Sequence, residues 1–265
     1  MTPAKVISAS RRTDMVATDP GGLADRLATL CPPENVHSVV LWTKNADNIL
    51  HHPALAAQLR RYDQLFIHYS ITGLGATILE PGVPPVEMAF SHLAPLIDMT
   101  GDPRRLCVRF DPIVHFLLPE GREITNLGFF SPLAEELARH RIENAVTSWV
   151  QIYGKVARRL QRHGITPLTV GPEQRIRQGK ALQKIARDHG IDLRGCCVPG
   201  WPVSHCIDGA FLNQLHPRGY RASEKRARGQ RPLCGCTESW DIGWYYTCTG
   251  GCLYCYGRPR ESATC

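Results

Sequence analysis

The sequence predicts an α/β protein: a parallel, partial TIM-like barrel of about six βα units with an irregular Cys-rich C-terminal extension closing its mouth. Three observations point there. Short apolar, β-branched runs alternate with helical patterns about six times over residues 1–195, as right-handed βαβ units on a parallel sheet require. The runs are nearly continuous in apolarity, which suits strands buried on both faces. Polar residues follow the strands in the same manner, and the C-terminal strand ends build the site in α/β folds. An open doubly wound sheet fits the alternation too; the repeated polar strand ends favour the barrel.

The strands are "KVISAS" (5–10), "SVVLWT" (38–43), "QLFIHYSI" (64–71), "RLCVRF" (105–110), "AVTSWV" (145–150) and the weaker "LRGCCV" (193–198). Between them, "GLADRLATL" (22–30) repeats Leu at helical spacing, and "PALAAQLRRY" (53–62) begins on Pro, a good first-turn residue. "PPVEMAFSHLAPLIDMT" (84–100) is amphipathic despite Pro95. "SPLAEELARHR" (131–141) has a Ser cap followed by Pro and acidic residues. "YGKVARRLQRHG" (153–164) and "PEQRIRQGKALQKIARDHG" (172–190) both run to a Gly stop. After about residue 195 the rhythm fades and Gly, Pro, Cys and Trp become frequent. Residues 196–265 read as an extension organised by a metal and packed on the 1–195 core.

The 265-residue chain has ordinary apolar (43%) and charged (21%) content, enough for one large domain with a real core. No apolar run reaches the roughly 18 residues of a membrane span, and the N-terminus lacks a secretory apolar region, so the expectation is a cytoplasmic protein with reduced thiols and no membrane partner. Eleven cysteines are many for that compartment, and all but Cys31 and Cys107 fall after residue 195, which points to a metal. Cys107, within "RLCVRF", reads as a small core residue. The +7 charge owes much to "RASEKRARGQR" (221–231), which reads first as a solvated loop. A zinc-stabilised nucleic-acid module is the least favoured reading, since aromatic residues do not interleave with the basic ones.

The strand ends supply the candidate site. Arg11, Asp14, Lys44, Arg109 and Asp111 are the candidate catalytic residues. Arg12, Thr13, Thr43, Asn45, Thr72, Gly73 and Ser148 are candidates for holding a cofactor. Arg offers a bidentate fork to a carboxylate or phosphate, so a small anionic substrate or a cofactor carboxylate fits this set. Part of it can equally be salt-bridge scaffolding.

"CTGGCLYC" (248–255) places Cys248, Cys252 and Cys255 at C-x3-C-x2-C spacing, with aromatic Tyr254 before the last thiol and two glycines that let the backbone wrap tightly. A structural zinc prefers two short-spaced pairs. Three thiols on one loop suit a cubane cluster with an open fourth iron. Cys196, Cys206, Cys234 and Cys236 offer a second metal centre, an auxiliary cluster or a structural zinc, with Cys197 competing.

This motif resembles that of the radical S-adenosylmethionine (SAM) enzymes. The resemblance implies a [4Fe-4S] cluster on the three thiols and SAM on its open iron, with Tyr254 in the cofactor site. It also implies a low-potential electron donor of flavodoxin or ferredoxin type, and a 5′-deoxyadenosyl radical acting on the substrate. Here the motif follows the last strand, where that superfamily places it after the first, and no GGE-like segment follows strand two. A non-radical [4Fe-4S] lyase or a redox-sensing protein without SAM is therefore the alternative. A broader resemblance rests on "SASRRTD" (8–14), "LWTKN" (41–45), "RFDPI" (109–113), "CIDG" (206–209) and "QRPLCGCTESWDIGWYYTCTGGCLYCYG" (230–257). Together they are similar to the bacterial family called domain of unknown function 1848, which implies no reaction.

Overall fold

The computed structural model describes residues 4–260. All six expected strands are present: β1 (Lys5–Ala9), β2 (Val36–Thr43), β3 (Leu65–Ser70), β4 (Leu106–Ile113), β7 (Asn144–Trp149) and β9 (Asp192–Gly195). The sixth stops at Gly195, so Cys196 and Cys197 stand just beyond the sheet. A seventh strand, β10 (Trp240–Asp241), comes from the extension and pairs in parallel with β1. The order is β10-β1-β2-β3-β4-β7-β9, all parallel, and the sheet is not closed. A small antiparallel sheet of β5 (His115–Leu117), β6 (Glu123–Thr125) and β8 (Thr166–Pro167) lies beside it.

The strands β1 to β4 and β7 bury both faces, and side-chain alternation sends the two sets of residues into different cores. Ile7, Val39, Leu41, Ile67, Tyr69, Val108, Phe110 and Ala145 face a helix layer. That layer includes α2 (Pro20–Leu30), α4 (Pro53–Leu59), α6 (Leu93–Thr100), α7 (Phe130–Arg139) and α9 (Pro172–Asp188). Their buried leucines, such as Leu23 and Leu27 on α2, recur at helical spacing. The stretch 84–100 is two helices, α5 (Val86–Ser91) and α6, which meet at His92; Pro95 sits in the first turns of α6, where its missing N–H costs little. α8 (Gly154–Arg162) belongs to a third cluster around Phe116.

The opposite set, Val6, Val40, Trp42, Phe66, Cys107 and Val146, is covered by the extension through Cys206, Ile207, Leu212, Leu215, Ala222 and Cys236. Here the extension departs from an irregular tail. It contains α10 (Gly209–Leu215), whose Asp208 cap accepts a hydrogen bond from the Phe211 N–H, and it lines the inner face of the sheet before reaching the strand ends. Several buried polar groups on this face are joined to one another, though Gln64 Oε1 and His68 Nδ1 have no partner among the described residues. The Gln64 amide donates to Ser38 Oγ at 2.7 Å, Ser38 contacts His37 Nδ1 at 2.8 Å, and His37 Nε2 meets the Tyr220 carbonyl at 2.9 Å. A carbonyl only accepts, so Nε2 carries the proton and Nδ1 accepts from Ser38.

Candidate functional site

The C-terminal ends of β1, β2, β4 and β7 open into one cleft of about 1560 Å³. Arg11, Arg12, Thr13, Asp14, Thr43, Lys44, Asn45, Arg109, Asp111, Ser148 and Tyr254 line it together with Cys248, Cys252 and Cys255. The same cleft reaches Cys196, Cys197, Cys206, Cys234 and Cys236. The candidate catalytic residues and both groups of thiols therefore share one space. Thr72 and Gly73 do not line it. Thr72 is buried and its hydroxyl donates to Glu80 at 2.8 Å, while Gly73 packs against the Phe129 ring. Their cofactor-binding assignment gives way to a structural one.

Much of the first wall is held by its own hydrogen bonds. Asp14 caps α1 (Met15–Thr18) through the Ala17 N–H at 2.9 Å, and its other oxygen accepts from Thr43 Oγ1 at 3.0 Å and the Lys44 N–H at 2.8 Å. Burial lifts its pKa to about 6 against the pull of these donors. Asn45 spends its side-chain oxygen on the Asp47 N–H, and Thr13 donates to the Trp244 carbonyl at 3.0 Å. Arg12 donates to the Gly243 carbonyl at 2.8 Å. Arg11 makes no hydrogen bond among the described residues and sits over the Trp42 ring at 5.9 Å.

The opposite wall is a chain of charge. The Arg109 guanidinium donates to Asp111 and, at 3.3 Å, to Cys206 Sγ, and Ser148 donates to the other Asp111 oxygen. Burial alone would weaken the Arg109 charge, but Cys206 and Asp111 hold its pKa well above the usual value. The basic run 221–231 adds Arg228 and Arg231 to the cleft. In all, eight Lys or Arg side chains and four Asp or Glu line it, so the space favours an anion.

The motif loop is anchored on three sides. The extension is tied to β1 by Asp241, which accepts from Ser8 Oγ at 3.0 Å and Ser10 Oγ at 2.8 Å. Arg12 Nε stands 4.0 Å from the same carboxylate. Of the four aromatics in 239–246, Trp244 and Tyr246 pack on the core, while Trp240 and Tyr245 are exposed. The loop after β3 holds the motif through Gly82 N–H to the Gly250 carbonyl (3.1 Å) and Leu253 N–H to the Leu79 carbonyl (3.0 Å). From α8, buried Arg159 donates to the carbonyls of Leu253 (3.1 Å) and Cys255 (2.7 Å).

Behind the thiols lies Glu80, which no sequence pattern had marked. It is 1% exposed, and one oxygen accepts from Lys44 Nζ (2.8 Å), Thr72 Oγ1 and the Tyr254 hydroxyl, while the other has no partner among the described residues. Burial would lower the Lys44 pKa, but Glu80 and Cys252 carry it upward. Burial pushes the Cys248 thiol up and the Cys252 thiol well up, with Asp14 adding to the first and Lys44 opposing the second. Without a bound cation these two stay protonated, and the thiolate is the form that binds metal.

Among the described residues, no three His, Cys, Asp or Glu side chains are set around a single ion. One tetrahedral zinc would draw its sulfurs to about 2.3 Å from a common centre. A cubane presents a separate iron to each thiolate, so its ligands stand farther apart. A Cβ at Gly250 would stand 3.6 Å from Cys248 Sγ and 3.7 Å from Cys252 Sγ, so both sulfurs lie near that one glycine. Three thiols from one loop are a donor set of the kind an iron–sulfur cluster takes.

A family model described as Domain of unknown function (DUF1848) matches residues 24–257. The chain belongs to this family. No curated protein and no solved structure shows a significant match. The match begins within α2 and runs to the motif loop, so it takes in β2 to β10 and both groups of thiols, and leaves out β1 and the Arg11–Asp14 wall of the cleft. No helix among the described residues is long and apolar enough to cross a membrane.

Proposed function

We propose that the chain is an iron–sulfur enzyme of radical SAM type acting on a small anionic substrate. The observation that carries this is the placement of Cys248, Cys252 and Cys255 on one anchored loop at the strand-end cleft, beside Arg11, Arg109 and Asp111. We read the consecutive strand order, with helices on one face, as a partial (βα) barrel whose mouth is this cleft. The three thiolates would hold a [4Fe-4S] cluster, which supplies one-electron cleavage of the SAM sulfonium to give a 5′-deoxyadenosyl radical.

The chain's own residues bind and orient. Arg11, with no hydrogen bond among the described residues, offers a bidentate fork to a carboxylate of cofactor or substrate. Arg109 is aimed by Asp111 and Ser148 along the other wall. Lys44 and Glu80 fix Tyr254, which keeps the motif backbone rigid between its last two thiols. The site would operate in the cytoplasm with a flavodoxin- or ferredoxin-type donor.

Anaerobic reconstitution with iron and sulfide tests the metal part of this reading. We expect a brown chain with about four irons at the motif. A chain that stays colourless and holds only zinc sinks it.

A further inference from the structure

We propose that Cys196, Cys206, Cys234 and Cys236 form a second site that binds one divalent metal ion of zinc type and clamps the extension to the inner face of the sheet. The inference does not depend on what the motif loop binds. These four residues come from three separate segments: the turn after β9, the loop before α10, and the Cys234-Gly235-Cys236 turn.

The four thiols gather in one place. Cys206 and Cys236 are buried in the inner core, Cys196 and Cys234 pack against it, and all four line the cleft. Four thiols from separate segments are the donor set of a structural zinc. As they stand they are not set around a single point. Cys196 and Cys234 are the part-exposed members, so rotation of their side chains can close the site.

Three of the sulfurs are met by N–H donors that favour the thiolate. The Cys206 N–H points at Cys236 Sγ at 3.2 Å, Arg109 Nη1 at Cys206 Sγ at 3.3 Å, and Arg231 Nη2 at Cys196 Sγ at 3.5 Å. A cysteine that merely fills a core has no use for an arginine on its sulfur. Four thiolates around a dication carry two excess negative charges, and these two arginines face that excess.

The backbone that presents the thiols is itself tied down. Cys196 N–H donates to the Thr147 carbonyl at 2.8 Å, Ala227 N–H to the Cys236 carbonyl at 2.9 Å, and Thr237 N–H to the Ile207 carbonyl at 2.9 Å. Gly235 lies flat against the segment that carries Cys206: a Cβ there would stand 2.1 Å from the His205 ring. The extension from 196 to 237 has only one seven-residue helix, α10, so a metal bridging its segments supplies order that regular structure does not.

The test uses the full chain with Cys248, Cys252 and Cys255 all changed to alanine, so that the motif contributes nothing. Under anaerobic, reducing conditions, Co2+ titration should give the near-ultraviolet thiolate-to-cobalt band and the visible bands of a tetrahedral site, saturating at about one ion per chain. Zn2+ should displace it and protect these four thiols from alkylation, read residue by residue by mass spectrometry. Adding Cys206→Ser and Cys236→Ser should reduce the band to baseline, with far-ultraviolet circular dichroism reporting the fold. If the triple-alanine chain gives no cobalt band, or Zn2+ protects none of the four, the proposal fails. It fails equally if the band survives the added serines, or if iron and sulfide build a cluster there instead.

Discussion

Reconstituted anaerobically, Cys252→Ala is expected to stay colourless, with motif iron falling at least tenfold from about four per chain. Cys252 is the most buried of the three thiols, 7% exposed, and Lys44 is the cation that draws its pKa downward against burial. Two remaining thiols on a loop cannot hold a cubane against water and oxygen. Cys107→Ala is the matched control. Cys107 is equally buried, its thiol is pushed up to about 12 by burial, and it belongs to the inner core rather than the cleft. Its iron content should equal that of the unmodified chain. Equal iron in Cys252→Ala would remove the motif from the account.

Asp111→Ala is expected to destabilise the chain by about 3–5 kcal/mol, because it leaves a buried guanidinium without its carboxylate. Arg109 is 9% exposed and would retain only the Cys206 sulfur, and Ser148 would lose its acceptor. Asp111→Asn keeps an oxygen for Ser148 or Arg109 and should lose less. Urea midpoints of the two variants check this. An Asp111→Ala midpoint equal to that of the unmodified chain would show that solvent already neutralises the pair.

The sheet was legible because a strand buried on both faces must be apolar throughout. "SVVLWT" and "RLCVRF" carry that signal, and both are central strands. β10 was not legible, since two residues, Trp240 and Asp241, hold no periodicity. Nor was α10, hidden among Gly, Pro and Cys that had suggested only irregular chain. At the site, the motif thiols declared themselves by spacing, Arg11 by its place after β1, and Arg109 and Asp111 by theirs at the end of the expected strand 105–110, which the structure extends to Ile113. Glu80 did not, because it is brought to the thiols by a loop, between the Thr72 hydroxyl and the Tyr254 ring. Thr72 and Gly73 shared the strand-end position of the true lining residues, yet the turn after β3 faces them inward; position in sequence does not give direction. The basic run 221–231 is largely exposed, as a solvated loop is, and its Arg228 and Arg231 also border the cleft.

The most direct test of the central claim is the fate of SAM on the reconstituted, reduced chain. The account predicts methionine and 5′-deoxyadenosine in equal amounts, dependent on reductant and lost in Cys252→Ala, with SAM changing the cluster's EPR signal. Intact SAM after prolonged incubation, with an EPR signal identical in its presence and absence, would contradict it and leave a cluster protein that does not use SAM.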